Sequence, residues 1–439
     1  MIPLECKNSA EFEEKLYSKL YLTSFIVYLL KFRKPKKWKI IFSNKDISKE
    51  NSQYLKGKSP IVVGKIQTLK LLVSKIKNFF FSNCLDIYGF NILQLAYLSI
   101  ILRIKRPIKS KIYNKKIINK INSRIHKQVK IHKNFIEIAK KCLPNSLKNI
   151  KSFKSIFNSN GKILITSGGP LIYDDEKKIK IIFHKLNGGL IFSQQHGSNY
   201  NDTDDNVNVG LELSNNGLLS WGFKKHQNYD GKIFPLPSPQ LKFKSYKHEP
   251  KEIIVFCSIV NLYFNPFISG RSFEFAKVRI LNTLKFFNKL NKIILKKTYF
   301  KDQASGHFSE KNLLKKFPIK IINEIPEKFL GRSKVMIFNN LSTMFYKSMS
   351  ANQPTMAIIN DYNFYTSSSI KFFKVLEKNH IIFLDPVKAA KFLNKNYDNF
   401  HKFWFSKKTQ KVVKLFCENN ALSSENPIKN WTRFFWNFK

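Results

Sequence analysis

Residues 1 to about 150 repeat apolar side chains at helical spacing, with few turn signals between Ile61 and Lys141, which predicts a helical, lysine-rich region. From Gly161 the texture changes to short apolar runs, each closed by Gly, Ser or Asn and followed by an amphipathic stretch. That alternation predicts βαβ units built on parallel sheets. Strands are expected at Lys162–Thr166 and Leu190–Gln194, with a helix at Asp174–Leu186 between them and Gly188-Gly189 as its stop. A proline-dense run at Phe234–Lys242 reads as an interdomain connector. Beyond it the pattern predicts strands at Glu252–Cys257, Lys292–Leu295, Ile319–Ile322, Val335–Phe338 and Thr355–Ile359, and helices at Ser272–Leu290 and Ser342–Ala351.

At 439 residues the chain exceeds what a single hydrophobic core organises, so the elements are expected in two domains. The predicted class is α/β: two Rossmann-like domains facing across a cleft, the arrangement known as GT-B, with a helical N-terminal region. Residues 1–150 form the helical part of the first domain, 151–240 its acceptor-side core, 241–410 a nucleotide-donor domain and 411–439 a helical tail. Two apolar stretches, Leu20–Leu30 and Ile92–Leu102, fall short of the about 18 residues that a bilayer crossing needs. Buried helices are expected there, with an interfacial position at a membrane as the other reading.

Composition sharpens this picture. With 43% hydrophobic and 14% aromatic residues the chain has the material for real cores, which excludes global disorder. Lys and Arg number 77 against 29 Asp and Glu, a net charge of +48. Such a balance favours a polyanionic partner. Most of it is lysine, accompanied by Asn, Ile and Phe, the mixture an A/T-rich gene writes, which discounts the charge; because the lysines thicken toward the N-terminal half, an anionic membrane surface is favoured over nucleic acid. Cysteines stand singly at Cys6, Cys84, Cys142, Cys257 and Cys417, a pattern that suits a reducing compartment. The start, MIPLECKNSAEFEEK, lacks the basic-then-apolar order of a signal peptide. A cytoplasmic protein, peripheral on the inner face of the cytoplasmic membrane, is the expectation.

Ligands of open α/β sheets bind at the carboxyl ends of strands, which points to the loops after Thr166, Gln194, Ser258 and Phe338. After the Leu190–Gln194 strand comes Gln195-His196-Gly197-Ser198-Asn199-Tyr200, where an imidazole can work at a cleft or simply pack in a loop. After Thr166 a turn with Gly168 and Gly169 leads to Asp175 and Glu176, carboxylates suited to a base, though taken alone the first turn of a helix is the simpler reading. Asn339-Asn340-Leu341-Ser342-Thr343 opens a helix, where backbone N–H groups and two hydroxyls can receive a phosphate, Ser342 doubling as N-cap. Asp202-Thr203-Asp204-Asp205-Asn206 lacks EF-hand spacing and reads as a solvated surface loop. The histidines show no metal-ligand spacing, and no Walker A sequence or G-x-G-x-x-G occurs, so no metal and no cofactor are expected.

Together, Gln195-His196-Gly197 with Tyr200, Trp221-Gly222, Ser342-Thr343 and Ala351-Asn352-Gln353-Pro354-Thr355 resemble a family of transferases from bacterial O-antigen and surface-polysaccharide gene clusters. The tail, Phe416-Cys417-Glu418 with Ala421 and Asn430-Trp431, resembles that family's C-terminal end. The layout is also similar to CDP-glycerol glycerophosphotransferases and capsule Kdo transferases. The resemblance implies transfer of a nucleotide-activated sugar or polyol phosphate, CMP- or CDP-linked, onto a surface polysaccharide or lipid-linked glycan. It places His196, Asp175 and Glu176 at the reaction centre. Gln195, Gly197, Tyr200, Gly168, Gly169, Ser342, Thr343 and Lys297 fall to substrate or donor. The chain departs from the pattern at Lys347, where an acidic residue is usual, and at Lys296-Lys297-Thr298-Tyr299-Phe300, which keeps only the cation of an R-x-Y-P-H-like strand end. Two readings from other classes stay open, a basic nucleic-acid-binding protein and a transferase-fold scaffold without catalysis.

Overall fold

In a computed structural model the chain is described at residues 89–104, 163–167, 181, 184–185, 189–198, 200–202, 215–226, 231–241, 254–258, 273–302, 316–322, 324–363 and 365–438. Most of the region expected to be helical at 1–150 lies outside these residues. Its described part is helix α1, Ile92–Ile104.

The first sheet contains β1 (Ile163–Ser167), β2 (Leu190–Gln194), β3 (Gly217–Ser220) and β4 (Ile233–Pro235), in that spatial order and all parallel. β1 and β3 are buried at every position, as strands covered on both faces must be. The proline-dense run expected as a connector therefore begins as a strand. β4 is an edge strand, where Pro235 removes no interior ladder bond, and the chain then stays buried through residues 236–239.

The second sheet takes β5 (Ile254–Ser258), β6 (Thr298–Asp302), β7 (Lys320–Ile322), β8 (Val335–Phe338), β9 (Thr355–Ile358) and β10 (Ile382–Phe383). They run parallel in the order β10-β9-β8-β5-β6-β7. The helices are α2 (Phe273–Lys289), α3 (Lys292–Lys296), α4 (Thr343–Ser350), α5 (Ser367–Lys378), α6 (Pro386–Asn396), α7 (Phe400–Trp404), α8 (Lys407–Asn420) and α9 (Pro427–Asn437). The expected strand at Lys292–Leu295 is instead helix α3. A short apolar run carries no period of its own, and here Ile294 and Leu295 are buried while Ile293 is exposed, the one-sided burial of a helix.

β8 shows how the second sheet is covered. Val335 and Ile337 face a core with Phe286 and Phe287 of α2 and Ala389 and Leu393 of α6. Met336 and Phe338 face the other core, with Phe345 and Met349 of α4, Phe373 and Leu376 of α5 and Phe416 of α8. A third core joins the first sheet, through Ile163, Ile165, Phe192 and Leu219, to Leu98 and Leu102 of α1 and to Trp431 and Phe435 of α9. Both sheets belong to one compact unit, Phe81–Ile108, Gly161–Asp174 and Gly189–Lys439. The expected start of the C-terminal tail, residue 411, falls inside α8.

Candidate functional site

In the second sheet, β5 has β6 and β7 on one side and β8, β9 and β10 on the other, the doubly wound order in which the chain reverses direction between its first and fourth strands. The crevice outside the carboxyl ends of β5 and β8 is therefore the ligand position this topology creates. The segment leaving β8 there is Asn339-Asn340-Leu341-Ser342, which runs into α4. Ser342 occupies the N-cap in extended conformation (φ −78°, ψ 170°), yet its hydroxyl makes no capping bond. Its Oγ and the Oδ1 of Asn340 are buried without a hydrogen-bond partner. A buried polar atom left unpaired costs about 1–3 kcal/mol, so these two leave hydrogen-bonding capacity on one short loop beside a helix N-terminus.

Helix α2 lines the same edge. Asn339 Nδ2 donates to Thr283 Oγ1 at 3.4 Å, and Asn282 Nδ2 donates to Asn360 Oδ1, just past β9, at 3.2 Å. One turn before Thr283 lies Arg279, a buried arginine among the eight in the chain.

The loop after β2 brings the imidazole. Gln195 N–H donates to Leu219 O at 3.1 Å. Its side chain is buried, donating from Nε2 to Gly197 O at 2.8 Å and accepting the Trp221 N–H on Oε1 at 2.6 Å. His196 is half-buried, its Nδ1 hydrogen-bonded to the Tyr200 hydroxyl and its ring edge-on to Tyr200 at 5.3 Å between centroids. Tyr200 itself is buried against Leu218 and Phe223. Gln195 thus bonds both within the loop and to Trp221, and Tyr200 bonds to His196.

This loop abuts α4. Ser198 N–H donates to Thr343 Oγ1 at 3.1 Å, and a Cβ on Gly197 would stand 2.8 Å from that same oxygen, so a larger residue at 197 would displace it. Thr343 thus spaces the His196 loop from the Ser342 loop. A second tie follows four residues on. Asp202, expected in a solvated loop, is 2% exposed. Its carboxylate accepts hydrogen bonds from the Tyr346 hydroxyl and from Ser369 Oγ, the latter at 2.9 Å, and its carbonyl accepts the Thr366 N–H at 2.7 Å. Charge patterning misreads this position because these partners are supplied by α4 and the start of α5, far along the chain. Burial, reinforced by the neighbouring Asp202 charge, drives the Tyr346 hydroxyl well above its ordinary pKa, so it stays a donor.

His196, Gly197, Ser342 and Thr343 are thus brought together, with Gln195 and Tyr200 behind them. Lys297 is not. It precedes β6, at the amino edge of the sheet, with its Nζ 5.7 Å from the Tyr397 ring centroid, and Lys334, just before β8, lies over the same ring at 4.7 Å. A strand-start residue in a parallel sheet stands at the opposite end from the switch-point crevice. Gly168, Gly169, Asp175 and Glu176 lie outside the described residues. The departure residue Lys347 pairs at 2.9 Å with Glu327. Burial raises the Glu327 carboxyl, but the hydrogen bond and charge of Lys347 bring it below its usual value.

The other motif positions shape the backbone. Gly222 has φ 128°, and a Cβ there would lie 2.6 Å from Glu418 O. Asn352 takes φ 54°, with its Oδ1 accepting from Trp404 Nε1 at 2.9 Å. Gln353 is fully buried, its amide donating to Ser333 O and accepting from Gly331 N, each at 2.8 Å.

No curated protein matches the chain. Among solved structures, the spinosyn forosaminyltransferase SpnP is similar over 66% of this chain and 76% of its own, at 7% identity and a TM-score of 0.35. The spinosyn rhamnosyltransferase SpnG, complexed with spinosyn aglycone, is similar over the same shares at 9% identity and a TM-score of 0.32. Likeness this remote carries no argument about function. A family model described as LIC12162 family transferase matches residues 2–435.

Proposed function

This chain belongs to the LIC12162 family of transferases, and from that premise we propose that it is a GT-B-like glycosyltransferase. In this reading it moves a nucleotide-activated sugar, or a polyol phosphate, onto a surface polysaccharide or lipid-linked glycan. The observation that carries it is the switch-point crevice of the second sheet, where a buried, unpartnered Ser342 Oγ stands at the N-cap of α4 and the next residue, Thr343, is bonded to the loop bearing His196.

The donor phosphate would take hydrogen bonds from the Ser342 hydroxyl and from the N–H groups of the first turn of α4, where the helix dipole also favours negative charge. Arg279, buried at the same edge, adds a cation. As the acceptor oxygen forms its bond to the donor carbon or phosphorus, its proton passes to His196. The bond to the nucleotide phosphate breaks, and the phosphate keeps the electron pair. Anchored groups already aimed at that charge stabilise it without reorganising. Asp175 and Glu176 remain the carboxylates that the motif resemblance assigns to this step.

The test is a thermal-shift series of the full chain with CMP, CDP, UDP, GDP and dTDP, and with single-stranded DNA alongside. One nucleotide should stabilise the protein by about 2.7 kcal/mol at a hundredfold excess over its dissociation constant. Ser342→Ala, which leaves the Thr343 contact in place, should weaken that nucleotide about tenfold. Silence from every nucleotide, or undiminished binding by Ser342→Ala, would overturn the site, and a salt-sensitive shift from DNA alone would return the basic charge to first place.

A further inference from the structure

Helix α1 is apolar nearly all round, ILQLAYLSIILRI, a composition that belongs either deep in a core or against a second apolar phase. Among the described residues, one side of it meets the core of the first sheet. Leu98 and Leu102 are fully buried in the core of the first sheet, with Ser99 and Ile101 beside them. The other side presents Leu93, Tyr97 and Ile100, at spacings of four and three residues, with exposures of 78%, 55% and 55%, and Ile92 extends it at 62%. Exposed large apolar side chains occur singly on many surfaces, but Leu93, Tyr97 and Ile100 on one helical face form a stripe.

The sequence around the helix supplies the second half of the argument. No Asp or Glu occurs between Asp86 and Glu137 in the sequence, while Arg103 stands in the last turn of the helix and Lys105, Arg106, Lys109 and Lys111 come next along the chain. An apolar helix face continued by cations without a compensating acid matches the chemistry of an anionic bilayer surface, where apolar side chains enter the acyl boundary and lysines and arginines meet headgroup phosphates. A protein partner for the same stripe would need acidic residues around its own apolar patch. Tyrosine at the middle of the stripe is a residue suited to the headgroup level. At 13 residues α1 is too short to span, and among the described residues no helix is long and apolar enough to cross a membrane.

We infer that the Leu93–Tyr97–Ile100 face of α1 docks the protein onto an anionic membrane surface. The inference deepens the proposed function by naming where a membrane-held acceptor would be met. It rests on that reading only for its purpose, since docking is measured without nucleotide or acceptor.

The experiment is co-sedimentation of the full chain with vesicles of phosphatidylcholine alone and of phosphatidylcholine with phosphatidylglycerol. The full chain should pellet with the anionic vesicles, and a Leu93→Ser, Tyr97→Ser, Ile100→Ser variant should need roughly tenfold more lipid for the same bound fraction. These side chains are exposed, so the variant should keep its melting temperature. Tyr97→Trp gives a readout at the residue itself, its emission shifting blue and being quenched by brominated lipid on binding. No pelleting with anionic vesicles, binding unchanged in the triple variant, or no quenching of the new tryptophan would each overturn the inference. So would a self-association in sedimentation velocity that the triple variant abolishes, which would assign the stripe to a second copy. Any of these leaves the nucleotide test to judge the transferase reading on its own.

Discussion

Tyr200 contacts the ring of His196 through its hydroxyl and its own ring. The hydrogen bond between the Tyr200 hydroxyl and Nδ1 selects between imidazole tautomers, and so decides whether the other ring nitrogen donates or accepts towards an acceptor hydroxyl. Tyr200 is thereby a positioning residue. Tyr200→Phe is expected to preserve the fold and remove about 1 kcal/mol of tautomer preference, a roughly fivefold change in the tautomer ratio read from the ring nitrogen shifts by NMR. Ring signals identical to those of the unsubstituted protein would mean that Tyr200 only fills space. The histidine and its glycine are legible in the amino-acid sequence alone, because His-Gly directly after a strand end is a local pattern with chemistry of its own. The roles of Tyr200 and Asp202 are not. Each depends on a partner brought close by the fold, four residues away for Tyr200 and far along the chain for Asp202.

At the level of elements, the hydrophobic pattern finds β2 and β8 at their observed limits and α2 and α4 within a residue or so, because long apolar periods and closed turns accompany those segments. It misses β3 and β4. Gly217–Ser220 is too short to show alternation, and β4 runs into prolines that ordinarily punctuate loops. Helix α9 is the element whose loss should cost most for its size. Trp431 is buried in the core of the first sheet, stacks edge-on with Phe90 at 5.1 Å and donates from Nε1 to Pro237 O at 2.9 Å. Trp431→Ala should lower stability by about 3–5 kcal/mol in urea denaturation, and Trp431→Phe, which keeps most of the volume, by far less. A loss below about 1 kcal/mol for the alanine variant would show that α9 is an appendage.

For the molecule as a whole, hydrogen bonds tie the two sheets together. The His196 loop is bonded to α4 and α5 through Ser198, Asn201 and Asp202, while the segment after α8 bonds to both Trp221 and Ser238 of the first sheet region before α9 packs there. Hydrogen exchange should therefore report one opening free energy for β2 and for β8, measured on peptides covering 190–194 and 335–338. Exchange of β2 under conditions that leave β8 protected would show that the sheets open independently.

The path of α9 also sets an order in time. The core of the first sheet cannot close on Ile163, Phe192 and Leu219 until Trp431 and Phe435 have left the ribosome. At about 5–20 residues per second, that is a delay on the order of tens of seconds after β1 emerges. A nascent chain thus carries an open apolar sheet from the emergence of β4 until that of Trp431, and a message cut short before Trp431 yields a protein whose first sheet never closes.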